Sequence, residues 1–394
     1  MRLNRVVTSL APSGIREIMS LAGGRDDVIR LDIGDPDFDV PAHIREAAQR
    51  TSVGYAPSAG MTDLRVAAAR KVRQHNGVHA DAEQVVVTQG ATQGIFAALM
   101  ALAEPGDETL IPDPAWPNYR MMTTALGLSA RPYRAGDGSF LPSVEELELL
   151  VTPRTRVLLL NSPANPTGAV IPAGLMAELV DFAERRGLWV LSDECYDQIG
   201  DGTCVSAAAC GSDSNVIAAY SLSKTYSMTG WRVGYLVAPV PVAHAIAKCQ
   251  ELLLACVGEP AQHAALAALT GPQDCVAQIN ERYRRRVDAV LSELDVGVLT
   301  AVPPRGGFYA WVDVSRTGLD DREFALGLLD SEAVAVAPGS AFGPGGRGRI
   351  RLSLTTREVE AVEGAARINR FAAGQCGLGA GTGAGGDDTS GPTI

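Results

Sequence analysis

Short apolar runs alternate with helical patterns through the middle of the chain, and this alternation constrains the fold more than any other feature. Segments rich in Val, Leu and Ile, with the length of buried strands, occupy residues 84–88, 109–111, 157–161, 189–192, 216–220 and 233–237. Helical patterns lie between or after them. Strands that alternate with helices predict an α/β fold built on a doubly wound, largely parallel sheet. In such a sheet, ligands bind at the carboxyl ends of the strands.

The length of the chain, 394 residues, exceeds what one hydrophobic core usually serves, so we expect two domains. We assign residues 1–45 to an N-terminal arm and part of a small domain, and residues 46–280 to a large domain. Residues 281–373 form the C-terminal part of the small α+β domain. Gly, Ala, Thr and Asp dominate the final stretch, so we predict that residues 374–394 are a disordered tail.

Composition excludes several classes of function. The chain carries 34 Lys and Arg residues against 45 Asp and Glu residues, a net charge of −11 that disfavours nucleic acid and anionic membrane surfaces as partners. Its seven cysteines lack CxxC spacing and its five histidines form no metal-ligand pattern, so we expect reduced thiols and no metal site. We find no apolar run with the length of a signal peptide or a membrane span. These features favour a small-molecule enzyme of the cytoplasm.

A lysine between small hydroxyl residues is the most informative chemical feature. Lys224 closes the sequence Ser-Leu-Ser-Lys, and Arg232 follows eight positions later. A lysine amine with a lowered pKa can bind an aldehyde covalently, while Ser221, Ser223 and a guanidinium suit the oxygens of a phosphate. Pyridoxal phosphate carries both groups, so we predict that Lys224 binds this cofactor. The alternative is a surface lysine in a loop rich in Ser and Thr.

Three further segments supply what such a cofactor needs. Gly90 and Thr92 lie where a predicted strand leads into a helix whose N-terminus would bind phosphate, although glycine is common at such turns for steric reasons alone. Asn165 precedes a proline in a bond that is a candidate for the cis isomer, and its amide suits the phenolic oxygen of the cofactor; an ordinary Pro/Gly turn is the alternative. Asp193 ends another predicted strand and is the expected partner of the pyridine nitrogen, with Glu194 as a rival.

Aromatic and basic side chains complete the candidate site. Tyr196 is able to donate a hydrogen bond to the phenolic oxygen. Trp116, between two prolines, is able to stack on a flat ring, with core packing as the alternative. One arginine of a basic segment is a candidate for binding an α-carboxylate through two hydrogen bonds. Arg347, Arg349 and Arg351 would share one face of a strand, so their spacing does not choose among them.

Together these motifs resemble those of the class I/II aminotransferases, in the aspartate aminotransferase superfamily of pyridoxal-phosphate enzymes of fold type I. The resemblance covers residues 9–371. The motifs occur in family order at residues 31–39, 55–60, 90–92, 114–119, 165–168, 192–196, 221–224 with Arg232, and 351–353.

The resemblance implies a role for each cofactor-binding residue. Lys224 resembles the Schiff-base lysine that also moves the substrate α-proton, and Asp193 resembles the partner of the pyridinium nitrogen. Asn165 and Tyr196 match the pair that contacts the phenolic oxygen, and Trp116 matches the aromatic residue that stacks on the ring. The implied phosphate-binding residues are Gly90, Ala91, Thr92, Ser221, Ser223 and Arg232.

The resemblance also implies the substrate contacts and a second subunit. Gly34 and Arg351 match residues that contact the substrate carboxylate, so Arg351 is selected among the three arginines by analogy alone. Asn165 is a further predicted substrate contact, and we place Ile15 in the pocket for the substrate side chain. Tyr55 matches a tyrosine that reaches the phosphate of the neighbouring subunit, which implies a homodimer with shared active sites.

The implied reaction is a ping-pong transamination between an amino acid and a 2-oxo acid. Relatives specific for acidic substrates carry an arginine in the region of residues 251–254 or a lysine at the position of Thr92, and this chain has neither. We therefore predict a neutral or hydrophobic primary substrate. The alternatives are an aspartate aminotransferase, a β-eliminating C–S lyase or other α-carbon chemistry on the same fold, and a non-enzymatic regulator, which would need a DNA-binding domain.

Overall fold

Two sheets organise the residues that the computed structural model describes, which are 3–10, 14–50, 54–134, 138–211, 215–295 and 297–378. The helices among them are α1 (Arg5–Ser9), α2 (Gly14–Ala22), α3 (Ala42–Ala47), α4 (Thr62–His75), α5 (Gly90–Leu102), α6 (Asn118–Ala125), α7 (Val144–Leu150), α8 (Ala173–Arg185), α9 (Leu222–Thr225), α10 (Val240–Leu254), α11 (Glu259–Thr270), α12 (Asp274–Glu293), α13 (Asp321–Glu332) and α14 (Glu358–Leu378). The strands are β1 (Ile29–Leu31), β2 (Val85–Thr88), β3 (Glu108–Asp113), β4 (Ser129–Arg134), β5 (Thr155–Asn161), β6 (Trp189–Asp193), β7 (Val216–Ser221), β8 (Gly234–Val237), β9 (Thr300–Val302), β10 (Tyr309–Asp313), β11 (Val334–Pro338) and β12 (Arg349–Ser353).

The seven-stranded sheet forms the centre of the large domain. Its order is β2-β8-β7-β6-β5-β3-β4, and the pairs from β7 through β6, β5 and β3 to β4 are parallel. The strand β8 runs antiparallel to both of its neighbours, β7 and β2. The predicted α/β fold with a mostly parallel sheet is therefore confirmed. The edge strand β4 was not predicted because it carries Pro132 and only one fully buried side chain, Tyr133; edge strands tolerate proline.

Helices cover both faces of this sheet, which explains the continuous apolar runs in its strands. Val85 and Val87 pack on one face with Leu64 of α4 and with α11. Val86 points to the other face and packs with Ile95 of α5 and with α10. The carboxyl ends of β5, β6 and β7 are therefore left uncovered by these layers, and the polar loops that follow them converge there.

The five-stranded sheet forms the small domain and joins distant parts of the chain. Its order is β1-β11-β12-β10-β9, with β1 parallel to β11 and the remaining pairs antiparallel. Its core joins Ile18 of α2, Val290 of α12, Phe324 of α13 and Ile368 of α14. Because β1 pairs with β11, the segment that follows Leu31 lies beside the end of β12.

The last helix extends into the segment that was predicted to be a disordered tail. Its backbone is helical to Leu378, so this prediction is wrong for residues 374–378. The turns before this segment pack on the small-domain core through a stripe of small and apolar side chains, with Ala361, Ala365, Ile368 and Ala372 all buried at helical spacing. Residues 379–394 lie outside the described residues, and the other predicted domain bounds stay predictions.

The structure contains no candidate for a membrane-crossing helix in its described part, since each helix there is too short or too polar to span a bilayer. The described residues also contain no group of three or more His, Cys, Asp or Glu side chains arranged to hold a metal ion.

Candidate active site

A cavity of about 270 Å³ lies at the carboxyl ends of β5, β6 and β7, where the large domain meets β1 and β12 of the small domain. Thirteen of the fifteen predicted site residues line it. They are Ile15, Gly34, Ala91, Thr92, Trp116, Asn165, Asp193, Tyr196, Ser221, Ser223, Lys224, Arg232 and Arg351. Residues from seven of the eight motifs therefore converge on one site. Gly90 and Tyr55, the two exceptions, are described below.

Lys224 follows β7 on the short helix α9. The Ser221 hydroxyl caps this helix by accepting a hydrogen bond from the Ser223 N–H at 3.1 Å, which fixes the turn that carries the lysine. The Lys224 amine donates to the Gly34 carbonyl and lies 5.9 Å from the centre of the Phe308 ring. Burial lowers the pKa of Lys224 to about 8, and the Arg351 and Arg232 guanidinium groups act in the same direction. The fraction of Lys224 that is a free amine near neutral pH is consequently much larger than for an ordinary lysine.

Asp193 is the last residue of β6, and its side chain points into the cavity. Its carboxylate accepts a hydrogen bond from the Tyr119 hydroxyl at 2.6 Å and another from the Cys195 backbone N–H at 3.2 Å. Burial raises the pKa of Asp193, and hydrogen bonds from the Cys195 thiol, the Tyr119 hydroxyl and the Cys195 N–H oppose the rise. A buried carboxylate held by these donors suits a protonated ring nitrogen as its charge partner.

Glu194, the rival acid, faces away from the cavity. It is fully buried, and its Oε1 accepts hydrogen bonds from the Ser192 and Ser206 hydroxyls and from the Ala207 N–H, at 2.8, 3.0 and 3.0 Å. Burial raises the pKa of Glu194 to about 7. The structure thus separates the two adjacent acids, with Asp193 in the cavity and Glu194 behind the sheet.

Donors for an anion gather at one end of the cavity. The N-terminus of α5 presents Ala91 and Thr92 there, beside Ser221, Ser223 and Arg232. Gly90 does not line the cavity but allows the approach of Arg232, because a Cβ at Gly90, whose φ is +72°, would lie 2.7 Å from Arg232 Nη2. A helix N-terminus, hydroxyl groups and a guanidinium form the donor set that phosphate prefers, so these residues fit the phosphate of the predicted cofactor.

Arg351 lies on β12, lines the cavity and is 3% exposed. It donates from Nη1 to Asn165 Oδ1 at 2.9 Å and from Nη2 to the Asp32 carbonyl at 2.6 Å, while its Nε has no hydrogen-bond partner among the described residues. Arg347 precedes the strand, and Arg349 lies near Asp313 at 3.5 Å. The three arginines, which spacing alone could not distinguish, therefore differ in position, and of the three it is Arg351 that lines the cavity.

Asn165 and Tyr196 both reach the cavity but already have protein partners. The Asn165–Pro166 peptide bond is cis, as predicted. Asn165 accepts from Arg351, and the Tyr196 hydroxyl lies 3.0 Å from the hydroxyl of Tyr309. The Arg351 guanidinium lies 4.2 Å from the centre of the Tyr309 ring, so Tyr309 contacts both Arg351 and Tyr196.

The remaining predicted residues differ in position. Gly34 contributes backbone to the cavity wall, and a Cβ there would collide with the Tyr309 hydroxyl. Ile15 of α2 and Trp116 add apolar surface to the wall. Tyr55 is 91% exposed and lies outside the cavity of its own chain.

Several cavity residues received no role from the sequence. Tyr119 and Tyr309 are the chief examples, and Ile33, Asn161, Cys195 and Thr229 also line the wall. Tyr119 is the last residue of the 114–119 motif, three residues after Trp116, so its place in this motif could have indicated a role in the site. We find no comparable local signal for Tyr309, because its partners come from distant parts of the chain.

Comparison with known proteins gives the family. The model of the family "Aminotransferase class I and II" matches residues 26–366, and the chain belongs to this family. It is thus an aminotransferase that depends on pyridoxal phosphate.

Its relatives carry several different substrate names. An aromatic-amino-acid aminotransferase of Thermococcus litoralis is 36% identical, over 94% of this chain and 98% of the relative. An arginine–pyruvate transaminase of Pseudomonas aeruginosa is 37% identical, over 88% of this chain and 91% of the relative. The structure of Thermus thermophilus aspartate aminotransferase with maleate superposes with a TM-score of 0.89 at 34% identity, over 94% of this chain and 100% of that one.

Proposed function

We propose that this enzyme moves an amino group between an L-amino acid with a neutral or hydrophobic side chain and a 2-oxo acid, in a ping-pong cycle. One observation carries the proposal. Lys224 follows β7, Asp193 ends β6 and Arg351 lies on β12, and all three line one cavity of about 270 Å³. A base, an acid that holds a ring proton, and a carboxylate-binding arginine are the groups that transamination requires.

The residues of the cavity divide between cofactor and substrate. When bound, pyridoxal phosphate supplies an aldehyde that condenses with amines and a ring that accepts electrons from the substrate α-carbon. Lys224 Nζ would bind this cofactor covalently, and Asp193 would keep a proton on the ring nitrogen. Ala91, Thr92, Ser221, Ser223 and Arg232 would bind the phosphate, next to Gly90; Asn165 and Tyr196 would contact the phenolic oxygen, and Trp116 would stack on the ring.

Lys224 is the proposed proton carrier. Its pKa, lowered to about 8 by burial, leaves a useful fraction of free amine at neutral pH, and a base works best when its pKa is close to the working pH. Once the substrate amine has displaced it, Lys224 Nζ would take the proton from the substrate α-carbon and later return it. The walls formed by Ile15, Ile33 and Trp116 would exclude water from this transfer.

Arg351 is the proposed site for the substrate α-carboxylate. Two of its nitrogens are held by Asn165 and Asp32, so the guanidinium is oriented before any substrate binds. Its buried Nε has no partner among the described residues, and a buried donor of this kind gains free energy when an acceptor arrives. Gly34 contributes backbone beside it, where a side chain would not fit.

The charges of the cavity support a neutral or hydrophobic side chain. Among the described residues that line the cavity, the basic ones are Lys224, Arg232 and Arg351, and each has a proposed role already. An acidic side chain would enter a wall that contains Ile15 and Ile33 and would lose hydration without a partner.

A panel of amino donors with 2-oxoglutarate as acceptor tests this preference. We expect kcat/KM for aspartate to fall about tenfold or more below that of the best donor among alanine, leucine, methionine and phenylalanine. If aspartate is the preferred donor, the proposed side-chain class is wrong. A cation from a partner subunit would then have to pair with the aspartate side chain.

We also propose a homodimer with shared sites. Tyr55 is 91% exposed, and the neighbouring end of α10 exposes Leu252 by 78%, an arrangement that a second subunit would cover. Gln250 donates to the Ser58 carbonyl and so ties α10 to the Tyr55 loop. Light scattering after size-exclusion chromatography should give twice the chain mass, and a monomer at micromolar concentration would contradict this.

The proposed compartment is the cytoplasm. The six cysteines whose side chains the structure describes are all unpaired, which suits a reducing environment. Cell fractionation followed by an activity assay would test this assignment.

A further inference from the structure

Tyr119 connects two of the proposed cofactor contacts. It is buried on α6, with 1% of its surface exposed. Its hydroxyl donates to Asp193 Oδ2 at 2.6 Å, and its ring meets Trp116 edge-on with 5.4 Å between ring centres. One side chain therefore contacts both the acid expected to face the ring nitrogen and the indole expected to stack on the ring.

The chemistry of this contact favours the ionised form of Asp193. Burial and the negative charge of Asp193 raise the pKa of Tyr119 well above its usual range, so the phenol keeps its proton and acts as a donor. A hydroxyl that donates to a carboxylate at such a distance forms a strong, charge-assisted hydrogen bond. This bond opposes the effect of burial, which raises the pKa of Asp193.

We propose that Tyr119 is a positioning residue of the transamination site, which holds Asp193 ionised and aimed at the cofactor ring while it supports Trp116. This inference rests on the proposed role of Asp193. Tyr119 acts through Asp193 and need not touch the substrate. Without the phenol, the Asp193 carboxylate retains the thiol and the backbone N–H of Cys195 as donors, and its ionisation becomes less favourable.

The titratable groups that face Asp193 are few. Tyr119 approaches from α6, Cys195 belongs to the turn after β6, and Lys224 shares the cavity. Burial and Asp193 itself raise the pKa of the Cys195 thiol well above its usual range, so that thiol stays neutral. Changes in Asp193 ionisation on removal of the phenol can therefore be assigned to Tyr119.

A matched pair of tyrosines provides the test. Tyr119→Phe deletes the hydroxyl that meets Asp193. Tyr133→Phe deletes an equally buried hydroxyl that donates to the Leu159 carbonyl at 2.9 Å and does not contact Asp193. The affinity of each cofactor-free variant for pyridoxal 5′-phosphate is measured by absorbance as a function of pH, together with the native protein and Asp193→Asn. Thermal unfolding confirms that each variant is folded.

The shape of the pH dependence distinguishes the outcomes. If Asp193 must be ionised, affinity falls as the pH drops through its pKa, and this fall should be absent in Asp193→Asn. We expect the midpoint of this fall in cofactor affinity to lie about one pH unit higher in Tyr119→Phe than in the native protein. The variant should therefore bind the cofactor about tenfold more weakly at pH values below the midpoint and almost normally at pH values well above it. We expect Tyr133→Phe to leave the fall where the native protein has it.

Two other results would decide against parts of the account. If Tyr119→Phe weakens binding equally at every pH, or matches Tyr133→Phe, the positioning role is wrong while the role of Asp193 stands. If Asp193→Asn binds the cofactor with native affinity and native pH dependence, the proposed role of Asp193 itself fails.

Discussion

The two sides of the cavity are built differently. On the proposed cofactor side, Asp193 ends β6 and Lys224 follows the adjacent parallel strand β7, and their backbones are fixed by ladder and capping hydrogen bonds. On the proposed substrate side, Gly34 follows β1 and Arg351 lies on β12, more than 300 residues away in sequence, and hydrogen bonds to Asn165 and Asp32 hold the arginine. The cofactor side is thus local and set by one sheet, whereas the substrate side requires both domains.

This difference predicts how substitutions on each side of the cavity should affect binding and chemistry. A substitution on the cofactor side removes a chemical group from a backbone that stays in place, so chemistry should fail while the fold persists. A substitution on the substrate side weakens one of several contacts around the carboxylate, so binding should weaken more than chemistry. The predictions below are ordered by the size of the expected effect.

The largest effect is expected at Lys224. Lys224→Ala removes both the covalent anchor and the base, so kcat should fall by about 10⁴-fold or more. Steady-state and single-turnover assays measure this loss. The exposed Lys248 provides a control, and Lys248→Ala should keep native kcat. Substantial turnover by Lys224→Ala would show that the cofactor side has been misassigned.

Arg351 should show the behaviour of the substrate side. Lysine cannot reproduce the guanidinium fork, so Arg351→Lys should lower kcat/KM by about 10- to 100-fold, mainly through KM. Steady-state kinetics with saturating cofactor gives the two constants separately. Arg349→Lys changes the same residue type two positions away, on a side chain that pairs with Asp313 near the surface, and should alter neither constant by more than about twofold. Equal losses in the two variants would contradict the assignment.

The ionisation of Lys224 should be visible without turnover. Because burial disfavours the charged ammonium, the pKa of Lys224 lies near 8, and its free amine accumulates above that pH. In cofactor-free protein, its labelling by a limiting amine reagent should therefore rise with a midpoint near pH 8, with Lys248 as the exposed reference. Labelling of Lys224 that keeps rising beyond pH 10, as for an ordinary amine, would show that the cavity does not lower its pKa.

Glu194 should affect stability more than activity. Its pKa is about 7 in the folded protein and about 4.5 in the unfolded chain, so the folded state holds an extra proton between these values. The free energy of unfolding should therefore fall as the pH rises from 4.5 to 7, by up to about 3 kcal/mol from this group. Glu194→Gln should remove that part of the pH dependence in urea titrations. An unchanged pH dependence in Glu194→Gln would mean that Glu194 titrates normally.

Local patterns explain what the sequence predicted correctly. The run of three valines at 85–87 indicates a strand covered on both faces, and Gly90 marks the turn into α5. Asp193 and Lys224 were predicted because a strand end followed by a polar motif is a local signal. The cofactor side was accessible to sequence reasoning for this reason.

Non-local pairing explains what the sequence could not predict. The orientation of β8 depends on its neighbours β7 and β2, which no local pattern specifies. The selection of Arg351 over Arg349 depends on the approach of Asn165 and Asp32. Tyr119 and Tyr309 act through hydroxyl groups whose partners are 74 and 113 residues away. The basic segment therefore indicated a carboxylate-binding arginine, whereas the choice of Arg351 and of Gly34 came only from family resemblance.

The most direct measurement is the identity of the lysine that binds the cofactor. The sequence contains three lysines, Lys71, Lys224 and Lys248. Lys71 is buried in an ion pair with Asp197, and Lys248 is exposed on α10. Borohydride reduction of the cofactor-loaded protein, followed by peptide mass spectrometry, should place the cofactor on Lys224 alone. Modification of Lys71 or Lys248 with Lys224 unmodified, or no modified lysine in protein loaded with excess cofactor, would contradict the account.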